Sequence, residues 1–120
     1  LEVQELTARK YKVAGLCGKK QSSFCLIAFV DSESDPLFLS LNALLTQYKK
    51  DPVTFTYVKK GEQPELFKQL GSQNLVAFRP KRNKALTYKQ TSYDEVSVAQ
   101  FIDDFLGGNG EFASVQGELA

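Results

Sequence analysis

Phe24-Cys-Leu-Ile-Ala-Phe-Val30 is seven apolar residues in a row, bounded by Ser22-Ser23 before and Asp31-Ser-Glu-Ser-Asp35 after. A strand with one wet face alternates apolar with polar residues; a continuous run of this length belongs to a strand covered on both faces. The run therefore predicts the centre of a sheet with helices above and below it. Working outward, Ser34-Asp35-Pro36 puts capping residues before a proline suited to the first helical position. Leu37, Phe38, Leu41, Leu44, Leu45 and Tyr48 then recur at helical spacing, which predicts a helix over 36–50. Val53 to Val58 alternates β-branched and aromatic residues as a strand does. Pro64 to Gly71 reads as a two-turn helix with proline at its start and glycine at its end. Leu75–Arg79 and Ala85–Tyr88 flank the polar turn Pro80-Lys-Arg-Asn-Lys84, a β-hairpin pattern.

Toward the ends the pattern continues. Glu2 to Leu6 reads as a short strand, and Thr7 caps a helix over Ala8 to Leu16 that Gly15 and Gly18 would stop. Ser92-Tyr-Asp-Glu95 has the spacing of a capping box, with Ser92 as the cap, ahead of the stripe Val98, Phe101, Ile102, Phe105 and Leu106. Residues 107–120 are Gly-rich and acidic, which predicts a flexible tail or linker after a domain at 1–106. Alternating strands and helices followed by a hairpin define an α/β domain, with a central mixed sheet and helices on both faces.

Composition narrows the chemistry. The 120 residues are 42% hydrophobic, enough for one core, and include no His, Trp or Met. Histidine bases, histidine metal ligands and the Ser-His and Cys-His nucleophile pairs are thereby excluded. Two cysteines are too few for a Cys-only zinc site, so no metal or other cofactor is expected. No run approaches the ~18 apolar residues of a membrane span, so membrane insertion is not expected. Leu1 in place of an initiator Met suggests a processed chain or a piece of a longer one.

Fifteen Lys and Arg stand against fourteen Asp and Glu. All fifteen cations lie in residues 1–90 with eight acids, while 91–120 carries six acids and no cation. The cations are spread as pairs near element ends, a solvated surface rather than a nucleic-acid stripe. Arg79 to Lys84 is the densest group; it could dock an acidic partner, but a basic hairpin tip reads first as a solvated turn. Phe38, Phe55, Tyr57, Phe67 and Phe78 could line a peptide groove, although their spacing is that of core. Asp103 and Asp104 are neighbours on a helix and cannot face one another, so they read as solvated charge. Cys17 and Cys25 leave three readings open: a structural disulfide closing a nine-residue loop, a redox pair, or two free thiols.

The element order, with Leu26-Ile-Ala-Phe-Val30, the capped helix after it, Val53-Thr-Phe-Thr-Tyr-Val58 and Phe101-Ile-Asp-Asp-Phe105, resembles the thioredoxin fold over residues 2–107. Tyr48-Lys-Lys-Asp-Pro52, Gly61-Glu-Gln-Pro-Glu-Leu66 and the glycines after Leu106 are similar to a redox-inactive b-type domain of protein disulfide isomerases. The likeness is strongest to the inactive domain that follows two catalytic ones. The cysteine pair at the entry to the central strand is similar too, at a wider spacing than the family's. The resemblance implies that Ser34, Asp35, Pro36 and Leu37 occupy the family's Cys-x-x-Cys position, that Ala28 replaces its buried acid, and that Asn74 falls near its cis-proline. It also implies no catalysis by this domain, the endoplasmic-reticulum lumen, and unfolded polypeptides or a chaperone as partners of a monomer. A thioredoxin-like domain of a J-domain co-chaperone is an alternative, and a redox-active domain using Cys17 and Cys25 is another.

Overall fold

The computed structural model describes residues 1–21 and 23–119. In chain order the elements are β1 (Gln4–Glu5), α1 (Ala8–Lys12), β2 (Phe24–Val30), α2 (Pro36–Leu44) and β3 (Val53–Lys59). They continue with α3 (Pro64–Gln69), β4 (Leu75–Arg79), β5 (Lys84–Thr87), α4 (Glu95–Leu106) and β6 (Ala113–Ser114). The six strands form one mixed sheet in the order β1-β3-β2-β4-β5-β6. β1, β3 and β2 are parallel, and β4, β5 and β6 follow antiparallel.

β2 has the position its apolar run predicts, between β3 and β4, with Cys25 to Val30 all buried. Because side chains alternate along a strand, Leu26, Ala28 and Val30 enter one core. Leu37, Leu41 and Leu44 of α2 and Val98, Ile102 and Phe105 of α4 join them there. Cys25, Ile27 and Phe29 enter a second core on the other face with Leu66 of α3 and Leu70 beyond it. Both faces are therefore covered, as an all-apolar strand requires.

Local chemistry sets most of the element boundaries. Thr7 caps α1, its hydroxyl accepting from the Lys10 amide at 3.1 Å. α1 ends at Lys12 rather than running to Leu16; the chain turns at Gly15 (φ +76°) to bring Leu16 and Cys17 into the second core. Asp35 caps α2 by accepting from the Leu37 amide at 2.9 Å, with Pro36 next to it. α2 is shorter than the 36–50 expected: beyond Leu44 the ladder loosens to turns, with Tyr48 N to Leu44 O stretched to 3.4 Å. The turns are held through Tyr48 instead, whose hydroxyl donates to Asp103 Oδ1 at 2.7 Å on α4. Asp103 thus anchors a tertiary contact and is not merely solvated charge.

Two further expectations are corrected. The cap of α4 is Asp94, not Ser92: the Asp94 carboxylate accepts from the Ser97 amide at 2.7 Å and from the Ser92 hydroxyl at 2.7 Å. A carboxylate offers two acceptor oxygens, so one residue serves both donors. The Ser92 hydrogen bond and then the Ser97 amide hold the Asp94 carboxyl below its usual range.

The second correction concerns residues 107–120, expected as a flexible tail. As far as Leu119 they pack against the domain. β6 pairs with β5, Ala113 opposite Ala85, while Val115 and Leu119 are buried in the second core and Phe112 packs on the first. Few apolar residues suffice because all three face inward and the main chain finds partners. Asn83 donates to Val115 O and Gly117 O, and Gln69 donates to Gln116 O. Gly110 makes the approach possible; its φ is +96°, and a Cβ there would stand 2.7 Å from Leu86 Cδ2.

Two outcomes follow from this packing. A chain ending at Gly110 should lose about 3 kcal/mol or more, the burial of Val115 and Leu119. A urea midpoint equal to that of the full chain would show that the terminal segment contributes nothing. Burial, then the hydrogen bond and charge of Asp103, raise the Tyr48 pKa above the ordinary tyrosine range. A raised folded-state pKa stabilises below the unfolded value near ~10, and that stability is lost as pH climbs toward the folded value. Tyr48→Phe should therefore cost about 1–2 kcal/mol near neutral pH, with the gap to the unchanged chain narrowing above pH ~10. A gap constant across that range in urea titrations would remove the Asp103 contact from the account.

Candidate functional site

The loop Asp31–Asp35 leaves the C-terminal end of β2 and feeds directly into α2. It carries the residues that the resemblance sets against Cys-x-x-Cys. Ser34 is exposed, its hydroxyl 2.9 Å from that of Ser32 and its amide donating to Ser32 Oγ. Asp35 accepts from both the Leu37 amide and, at 3.0 Å, the Asp31 amide, so one carboxylate closes the loop and caps the helix. Leu37 is buried in the first core. The helix end that would stabilise an attacking thiolate therefore already has an anion, and neither flanking position holds sulfur.

Ala28 is fully buried between the sheet and α2 and α4, with no polar group to relay a proton. Asn74 stands at the same end of the sheet as Ser34, since its carbonyl accepts from the Phe29 amide at 2.8 Å; its side-chain amide donates to the Tyr93 hydroxyl. The structure thus brings Ser34 to Leu37, Ala28 and Asn74 to one end of the sheet. None of these six residues is a thiol, the carboxylate of Asp35 is engaged by two backbone amides, and the Ser34 hydroxyl by that of Ser32.

Cys17 and Cys25 are joined as a disulfide with their Cα atoms 5.5 Å apart, both completely buried. Cys25 is the second residue of β2, so the bond lies at the opposite end of that strand from Ser34 and on its other face. The loop it closes is pinned again by Gln21. The Gln21 side chain accepts from the Cys17 amide at 2.8 Å and donates to Ser23 and Thr54.

Of the aromatic residues that could have lined a groove, Phe55 and Phe78 are core, and Phe67 meets Phe29 edge-on. Phe38 and Tyr57 are half-buried, stacked edge to face at 5.1 Å, and Leu39 next to Phe38 is 54% exposed. One arrangement escaped the sequence reading. Arg79 does not project into solvent from the hairpin; its guanidinium lies 5.3 Å over the Phe24 ring and 6.0 Å from that of Phe112. The signal was an isolated aromatic, Phe112, in a polar segment otherwise discounted as a tail.

Among the described residues there is no cluster of metal-ligating side chains and no helix long and apolar enough to cross a membrane. Compared with known proteins, the chain matches no family model and no curated sequence. The disulfide should stabilise by about 2.6 kcal/mol on the chain-entropy account of a nine-residue loop. Urea unfolding with and without reductant would measure it, and coincident curves would leave the bond without an energetic role.

Proposed function

We propose that this chain is a redox-inactive, thioredoxin-like module of a protein disulfide isomerase or related folding factor, binding unfolded polypeptides while other domains carry out thiol exchange. The observation that carries this reading is the loop at the head of α2. Asp35 caps the helix, and Ser34 and buried Leu37 take the places where exchange would need thiols. The strand order supports the fold half of the reading: parallel β1-β3-β2 with an antiparallel β4 beside β2 is the arrangement a thioredoxin-like core has. A disulfide fits an oxidising compartment such as the endoplasmic-reticulum lumen. Complete burial of both its cysteines argues against exchange with an external thiolate, which needs access to a sulfur. The contact area for an unfolded chain is the apolar surface of Phe38, Leu39 and Tyr57.

The variant Ser34→Cys with Leu37→Cys tests the registration of the loop. The two thiols should pair under mild oxidant, yet turnover of insulin should stay low, because Ala28 supplies no proton relay. Failure to pair would overturn the alignment with Cys-x-x-Cys. In parallel, the unchanged chain should bind a reduced, unfolded protein of near-zero net charge with an affinity that survives added salt, since screening weakens charge contacts and spares apolar burial. Loss of binding in moderate salt, or insulin turnover abolished by Cys17→Ser, would count against the proposal.

A further inference from the structure

The end of the sheet away from Ser34 has a different character. Phe24 opens β2 and Arg79 closes β4, and between them and the turn that follows lie two clefts of about 200 and 430 Å³. They share Phe24, Arg79 and Arg82, so they adjoin as one depression around these three side chains. Lys81 adds a cation to the smaller cleft and Lys84 to the larger, whereas no Asp or Glu lines either. Among the described residues the one ion pair is Lys60 with Asp31, elsewhere on the surface. The C-terminal end of α4 borders the larger cleft through Leu106, but a helix end offers only about half a negative charge against four cations.

We propose that this depression is a binding site for an acidic, extended polypeptide segment that places apolar side chains between its carboxylates. The site is independent of the apolar surface proposed above for unfolded chains. Arg79 is the organising cation. Held over the rings of Phe24 and Phe112, its guanidinium is already oriented, so less side-chain freedom is lost when it takes a carboxylate in the two-pronged geometry it favours. Arg82 is exposed on the turn and free to close on the same ligand. Among the cations the larger cleft also offers half-buried Phe24, Leu106 and Phe112, against which an apolar peptide side chain can lie while its neighbours meet the cations. Two joined clefts exceed what a single inorganic anion fills. A nucleic-acid strand is the poorer fit: the stacking capacity of Phe24 and Phe112 is taken by Arg79 and by each other, with ring centroids 5.9 Å apart.

The probe is a fluorescein-labelled octapeptide of alternating Glu and Leu, titrated with the full chain at low salt. Saturable binding that weakens as salt is raised is expected, with amide shifts in the NMR spectrum of the unchanged protein concentrated at Phe24, Arg79, Arg82 and Gly108. Arg82→Ser with Lys84→Ser should weaken binding about tenfold or more, the loss of charge-assisted hydrogen bonds. Lys49→Ser with Lys50→Ser, an equal change of charge at exposed positions elsewhere, should not. Equal binding of the peptide with Lys in place of Glu, shifts centred outside the depression, or unchanged affinity in the Arg82 and Lys84 variant would overturn the proposal. Tighter binding of an oligothymidylate than of the acidic peptide would do so as well, and would mark the surface as one for nucleic acid. Because the shifts are read on the unchanged protein, a variant that fails to fold leaves the test intact.

Discussion

Burial of β2 on both faces is the constraint from which the other elements take their places. A strand whose two sets of side chains are all apolar has no face to give to water. α2 and α4 must cover Leu26, Ala28 and Val30, and α3 must cover Ile27 and Phe29. The contacts within each layer follow from this. Tyr48 reaches α4 because α2 and α4 share one face of the sheet, and the Asp94 cap is where it is because α4 must begin after the chain has left β5 and rounded Tyr88. The Tyr88 hydroxyl donates to the Ser92 carbonyl and its ring meets Phe101, so the connection into α4 is part of the packing too.

The two ends of β2 have been put to different uses. At its C-terminal end the turn is held by its own polar groups: Asp35 serves two amides, and Ser32 and Ser34 serve each other. This is a finished helix start. At its N-terminal end the disulfide and Gln21 fix the approach to the strand, while the cations beside it are gathered around apolar rings with no acid among them. Charge left without a counter-charge next to apolar surface is an arrangement that folding alone does not require.

Features encoded within a few residues were readable in the sequence. β2 and β4 begin and end where their patterns place them, and Thr7, Asp35 with Pro36, and the 75–88 hairpin behave as their local chemistry dictates. What depends on distant partners was not. No periodicity in 107–120 announces that Val115 and Leu119 fill a gap beside Leu66 and Leu70, or that Asn83 and Gln69 are waiting for its carbonyls. Ser92 and Asp94 both suit a cap, and the choice between them rests on which one the Ser97 amide meets. At the candidate site, the lack of thiols at 34 and 37 was plain from the sequence. The seating of Arg79 on Phe24 and Phe112 was not, because it joins residues from three separate segments.

The sheet begins and ends on strands of only two residues, β1 and β6. An edge that short shows an incoming chain very few unpaired amides and carbonyls, too few to template another strand. The short edge strands β1 and β6 therefore give little purchase for growth of the sheet by backbone pairing, whether with another polypeptide or with a second copy. Edges of this kind favour contacts made through side chains over contacts made by strand pairing, and contacts through side chains carry a sequence preference, however loose. The same brevity leaves the folded chain little edge from which strand-on-strand aggregation could start.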